Sequence, residues 1–111
     1  MTESLCDRLR DDLGRAGDPL EKDELALDLV FALCQEGRLA EASQLLQKLK
    51  APTKARKSEF LIRILIAEGV NQYYLGAIDL GFDRVARAMA LASAAQHKGL
   101  SFEASAWMGQ I

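Results

Sequence analysis

The side chains of this chain that could do acid–base or metal chemistry are few and poorly spaced for it. His97 is the only histidine, and no serine–aspartate or cysteine partner is apparent for it, as general acid–base catalysis would require. Cys6 and Cys34 form neither a CxxC pair nor a metal-ligand spacing. Two lone cysteines of this kind are typical of small buried side chains in a reducing cytosol.

Phosphate and calcium sites are not predicted either. Gly76 and Gly81 match neither a P-loop nor a dinucleotide-binding fingerprint. Three acidic residues lack the spacing of a calcium-binding loop: Asp79, Asp83 and Glu103. The sequence therefore predicts that the chain is not an enzyme, and we expect neither a metal nor a cofactor.

The charge distribution argues against nucleic acid and membranes as partners. A net charge of −2 gives no global attraction to either. The basic stretch "KLKAPTKARK", residues 48–57, contains no aromatic side chain that could stack on bases. Asp28 and Arg63 interrupt the two longest apolar runs, so neither run predicts a membrane span. Acidic residues stand where a signal peptide would be apolar, so we expect a cytoplasmic protein.

The composition and the hydrophobic spacing predict an all-α fold. Strong helix formers dominate, and no β-branched segment alternates with period two. Leu5, Leu9 and Leu13 form the stripe of an amphipathic helix, which we assign to an N-terminal segment of residues 1–17. The motif "DPLE" at 18–21 is typical of a helix start, because Asp can cap and Pro suits the first helical position.

Further helices follow at regular intervals. The "DPLE" helix is expected to reach about Gln35 and to end in a turn at Gly37, and a second helix then buries one face: Leu39, Ala42, Leu45, Leu46 and Leu49. A third helix is expected from about Ser58 to Leu75, followed by a loop or a distorted corner over "GAIDLGF", residues 76–82. A small-residue helix comes next, which Lys98-Gly99 is expected to terminate. "SFEASAWMGQI" opens one more helix.

The stretch "AEGVNQYYLG", residues 67–76, combines two poor helix formers with two bulky aromatic residues. Gly69 would let a partner helix approach without an intervening Cβ, and Gly76 would end the helix. Tyr73 and Tyr74 could form a ligand platform, since tyrosine gives a large contact area at low entropic cost. The alternative is that one ring fills the core and the other lies on the surface.

Residues 23–111 resemble the tetratricopeptide (TPR) repeats. With Asp23 as the start of a unit, the positions that the family fills with apolar, small or turn residues hold these residues: Leu29, Val30, Gly37, Ala42, Leu46 and Leu49. In the next unit Gly69 takes the small position and Gly76 the turn, and three alanines follow after about five inserted residues: Ala86, Ala90 and Ala92. Glu68 stands where the family has a buried leucine.

The resemblance implies antiparallel helix pairs stacked as a short right-handed solenoid over residues 18–111, with the last repeat incomplete. It implies a concave surface that binds a protein or peptide, and five residues would face it: Arg63, Ile66, Val70, Tyr73 and Tyr74. The family's clamp for a C-terminal carboxylate is missing, because its positions hold Ile66, Ala67 and Val70. Similar repeats occur in the N-terminal sensory regions of bacterial signalling proteins such as GGDEF diguanylate cyclases. A small-ligand sensor with an apolar groove is the alternative.

The last repeat begins at Met108 and Gly109, and it would leave an apolar stripe uncovered. The stripe consists of residues at helical spacing: Ala104, Trp107, Met108 and Ile111. The N-terminal helix could fold back onto it, a second copy could pack on it as a homodimer, or the natural chain could continue. Trp107 could also be a core residue.

Overall fold

The computed structural model describes residues 4–50 and 58–109, and every regular element in this part of the chain is an α-helix. The helices are α1 (Leu5–Arg15), α2 (Pro19–Gln35), α3 (Leu39–Lys50), α4 (Ser58–Tyr74), α5 (Ile78–Ala94) and α6 (Lys98–Met108). The expectation of an all-α fold is therefore confirmed. Residues 51–57 of the basic stretch lie outside the described residues. None of the six helices combines the length and the hydropathy that a bilayer crossing requires.

The chain divides into two compact units, Met1–Ala51 with α1–α3 and Pro52–Ile111 with α4–α6. The boundary expected between residues 17 and 18 falls inside the first unit, where α1 and α3 both pack on α2. This arrangement explains why α2 is apolar nearly all round, since a helix that is covered on two sides needs two apolar faces. Leu27, Val30 and Leu33 are accordingly buried.

Helix α1 begins as its sequence predicts but does not bury the residue at the head of its leucine stripe. The Ser4 hydroxyl caps the helix by accepting the Asp7 N–H at 3.1 Å. Leu5 is 53% exposed, whereas Cys6 is fully buried. Leu5 lies about 100° around the helix from Cys6, so the two side chains point in different directions.

The turn between α2 and α3 has the predicted glycine in the left-handed conformation. Gly37 has φ 79°, which a residue with a Cβ adopts only at a cost. Its N–H donates to the Cys34 carbonyl at 3.1 Å, and the Arg38 N–H donates to the Leu33 carbonyl at 2.9 Å. These two bonds satisfy carbonyls that the end of α2 would otherwise leave unpaired.

Glu41 of α3 joins α1 and the turn that precedes α3 on the surface of the first unit. The Glu41 carboxylate accepts a hydrogen bond from Arg10 of α1 and another from Arg38 Nε, at 3.0 Å. The hydrogen bonds from Arg10 and Arg38 hold the pKa of the Glu41 carboxyl below its usual range. The pair with Glu41 also raises the pKa of Arg38. All three side chains are substantially exposed, so this cluster adds orientation more than stability.

In the second unit, α4 and α5 cross at two glycines. A Cβ placed on Gly69 would lie 2.6 Å from Val85 Cγ2 and 2.8 Å from the Gly81 carbonyl oxygen. A Cβ placed on Gly81 would lie 2.7 Å from the Gly69 carbonyl oxygen. The predicted close approach at Gly69 is thus confirmed. Gly81 is its counterpart on α5.

The expectation of a loop or a distorted corner over residues 76–82 is wrong from Ile78 onward, because α5 begins there. Gly76, at φ 96°, repeats the turn of Gly37: its N–H donates to the Tyr73 carbonyl, and the Ala77 N–H donates to the Gln72 carbonyl. The turn at Gly76 therefore connects α4 directly to α5, without a longer loop. The glycine that suggested a loop, Gly81, serves the helix crossing instead.

The end of α5 also differs from expectation. The chain turns at Gln96, a non-glycine residue at φ 56°, and Lys98 and Gly99 belong to the first turn of α6. His97 precedes that helix, and its Nδ1 accepts the Leu100 N–H at 3.1 Å. The histidine therefore caps a helix start, where a side-chain acceptor is useful, rather than a helix end.

Candidate functional site

The five residues expected on a concave surface lie on α4, and the structure separates them by burial. Ile66 and Val70 are buried side chains of the core. Arg63 and Tyr73 are half-buried, and Tyr74 is 37% exposed. Only Arg63, Tyr73 and Tyr74 therefore offer surface to a partner in this conformation.

Arg63 is held by α6. Its Nε lies 3.2 Å from Glu103 Oε1, and both side chains keep about a quarter of their surface in contact with solvent. This pair joins the first half of α4 to the middle of α6. A partner carboxylate that engaged Arg63 would compete with Glu103 for the guanidinium.

Tyr73 and Tyr74 form an aromatic pair at the end of α4. Their ring centroids lie 5.5 Å apart with planes at 79°, an edge-to-face arrangement. Gly81 lies close behind Tyr73, since a Cβ on that glycine would lie 3.0 Å from Tyr73 Cβ. Tyr73 is half-buried beside Gly81 of α5 and Tyr74 is exposed, so neither ring fills the core.

Glu68, which stands where the TPR family has a leucine, is compensated by α5. Its Oε1 lies 2.8 Å from Arg84 Nε, although that Nε makes no hydrogen bond of good geometry within the described residues. Only 15% of the Glu68 side chain is exposed. A carboxylate at this depth requires such a counter-charge.

Large apolar side chains remain exposed around the turn that follows Tyr74. Leu75, Ile78 and Phe82 are each about half exposed. Ile78 and Phe82 stand one helical turn apart on α5, so they are neighbours on one face. The sequence-based interpretation missed them because it took residues 76–82 for a loop, and the spacing of these two residues was the available signal.

The stripe expected to be uncovered at the C-terminal end is covered in part. Ala104 is fully buried, so the expectation is wrong at this residue, because α6 packs against both α5 and α4. Trp107 and Met108 are half-buried, and Ile111 lies outside the described residues. Instead, Phe102 is the most exposed of the large apolar side chains that the structure describes, at 78%.

Other chemistry is sparse in the described residues. They contain no cluster of three or more histidine, cysteine or acidic side chains that could hold a metal ion. Burial, reinforced by a hydrogen bond to Glu36, raises the pKa of the Cys6 thiol to about 11, which leaves it protonated at neutral pH and a poor nucleophile.

An open depression of about 250 Å³ lies between the end of α1 and the start of α2. Charged side chains line much of it, among them Asp12, Arg15 and Glu21. This lining does not fit the apolar groove of the small-ligand alternative.

No known family model matches the chain, and comparisons with curated protein sequences and with solved structures gave no significant match. The surface at the end of α4 must therefore be interpreted from its own geometry.

Proposed function

We propose that this chain is a TPR-like, non-enzymatic binding module that recognises a protein or peptide segment. It would act in the cytoplasm as the regulatory or signal-relay part of a larger bacterial signalling protein. The observation that carries the proposal is the aromatic pair at the end of α4, with Tyr74 accessible. Tyrosine is enriched among the residues that dominate binding energy at protein interfaces, because it buries a large area and loses few rotamers.

Two further features support recognition of a peptide on this face. Arg63 and Tyr74 lie on the same side of α4, about three helical turns apart, a distance that an extended segment of about five residues covers. The guanidinium supplies a charged contact at one end and the phenol an amphipathic contact at the other. A segment with an acidic residue and an apolar residue at that spacing fits these two ends.

Panning of a displayed library of random peptides against the purified 111-residue chain tests the proposal. We expect enriched peptides whose affinity falls by at least about tenfold in Tyr74→Ser. Leu61→Ser is the matched control, because Leu61 is an exposed apolar residue of α4 that lies about 140° around the helix from Tyr74. Equal losses in both variants, or failure to enrich any peptide with saturable binding, would refute the proposal.

A further inference from the structure

We propose that the outer face of α5 is a self-association surface on which two copies of the chain pair their α5 helices in antiparallel. This surface is distinct from the C-terminal stripe of α6 and from the tyrosine pair of α4. It consists of two neighbouring rows of side chains with i, i+4 spacing. The apolar row holds Ile78, Phe82, Ala86 and Ala90, and the charged row holds Asp79, Asp83 and Arg87.

Ile78, Phe82 and Ala90 are exposed and Ala86 is half-buried, so both halves of the apolar row are accessible. Ser105 Oγ lies 3.3 Å from Met89 Sδ, and the three-residue connection between α5 and α6 makes the two helices antiparallel. In that alignment the last residue of α6, Met108, lies level with about Ala86. Ile78 and Phe82 extend beyond it and are 54% and 49% exposed.

The apolar row is large in its first half and small in its second half. Phe82 stands about one helical turn before Ala86 and Ile78 about two turns before it, and Ala90 follows Ala86 by about one turn. In an antiparallel pair whose two-fold axis passes near Arg84, Phe82 faces the second copy's Ala86 and Ile78 faces its Ala90. Each large side chain then meets a small one, which is the shape match that close packing of two helices needs.

The charged row changes sign along its length. Asp79 and Asp83 occupy the first half and Arg87 the second, all three are exposed, and none has an ion-pair partner among the described residues. The same two-fold axis places Arg87 of one copy between the levels of Asp79 and Asp83 of the other. A single axis therefore satisfies both the shape match and the charge match, which favours a second copy over an unrelated partner.

The exposed apolar area is small for a permanent dimer, so the pair is expected to be weak and in rapid exchange. Sedimentation equilibrium of the full 111-residue chain should give an average mass that rises with concentration from 12.2 kDa towards twice that value. Added salt should weaken the association, since exposed charges contribute to it.

A charge exchange between two variants tests the geometry. Arg87→Glu, and separately Asp79→Lys with Asp83→Lys, should each weaken self-association by about tenfold, because each opposes like charges twice across the axis. A mixture of the two variants should associate as tightly as the original chain, since Glu at position 87 then faces Lys at 79 and 83. Leu61→Ser, an exposed change on α4, is the control and should have no effect.

The expected result is weak self-association that each charge variant lowers and that the mixture restores. A chain that stays monomeric up to about 1 mM would overturn the proposal, because surfaces that match in both shape and charge should associate measurably at that concentration. So would a mixture that associates no better than its separate components. A triple variant that carries all three changes reverses the sign of every charge in the charged row. Its self-association should be as tight as that of the original chain, and weaker self-association would contradict the antiparallel pairing.

Discussion

The α2–α3 and α4–α5 hairpins turn in the same way but treat their second helix differently. Gly37 and Gly76 both have positive φ, and each is followed by the same pair of backbone hydrogen bonds to the preceding helix. Beyond the turn, α3 keeps its leucines buried or half-buried. Helix α5 leaves four large apolar side chains exposed: Ile78, Leu80, Phe82 and Leu91.

The two hairpins differ in the size of the residues where their helices meet. The α2–α3 interface is filled by side chains, including Ala42, Leu46 and Leu49. The α4–α5 crossing brings two glycines together, so the backbones approach closely and the core side of α5 needs only small residues. The large side chains of α5 are then left exposed on the parts of the helix that face away from the crossing. A turn motif alone therefore does not decide which surface of a hairpin stays available for partners.

The largest effect should come from filling the glycine crossing. Gly69→Leu should destabilise the second unit by about 3 kcal/mol, at the upper end of the usual range for overpacking, because the new Cβ meets backbone as well as a side chain. Thermal or urea unfolding followed by circular dichroism measures the change.

Gly14 in α1 provides the matched control. No atom lies within 4 Å of a Cβ placed on it, so Gly14→Ala should stabilise the chain by about 0.5–1 kcal/mol through helix propensity alone. If Gly69→Leu unfolded at the same midpoint as the original chain, the two helices would not be in close contact.

The shared turn should give equal and smaller effects in the two hairpins. Gly37→Ala and Gly76→Ala should each cost about 1 kcal/mol, because both glycines have positive φ and open space around the missing Cβ. Gln96→Gly at the third turn should stabilise the chain by a similar amount. Gln96 already bears the strain of a positive φ, at 56°, and glycine would relieve it. Chemical unfolding of the three variants checks this, and unequal costs at the two glycines would mean that the turns are not equivalent.

Much of the helical framework could be predicted from sequence, and the failures have physical causes. Periodicity and local signals predicted α2 and α4 well, because Pro19 and Gly37 bound α2 and Gly76 follows α4, and all three have strong local preferences. The start of α5 was missed because a glycine can mark either a loop or a close helix contact, and only a tertiary partner distinguishes them. The turn at Gln96 was missed because a non-glycine residue at positive φ leaves little trace in the sequence.

The candidate site was predicted less well than the fold. The five residues predicted to face a concave surface include both core and surface residues. Helix spacing places Ile66, Val70 and Arg63 on neighbouring faces of α4, but it does not say which other helix covers each face. The partner of Arg63 on α6 could not be foreseen, since ion pairs between distant residues have no local signal. Tyr74 remained accessible because it stands at the very end of α4, a position that the sequence did predict.

The smallest effect should come from the surface charges of the first unit. Glu41→Gln removes the acceptor of Arg10 and Arg38, and its cost depends on pH because the pKa of Glu41 is lowered in the folded chain. The contribution of Glu41 is present above its unfolded value of 4.5 and is lost as the pH falls through the lower folded value. Unfolding midpoints of the original chain and the variant should differ slightly at neutral pH and converge in acid. A difference that persists unchanged in strong acid would show that the ion pairs do not stabilise the unit.

The central claim is that partners bind at the end of α4 rather than on the α2–α3 hairpin, and an NMR titration tests it most directly. A peptide enriched by panning is added to the ¹⁵N-labelled chain, and amide shifts are followed residue by residue. We expect the shifts to concentrate at Tyr73 and Tyr74 and to extend along α4 towards Arg63. Shifts confined to the α2–α3 hairpin around Gly37, with the last turn of α4 unmoved, would contradict the account.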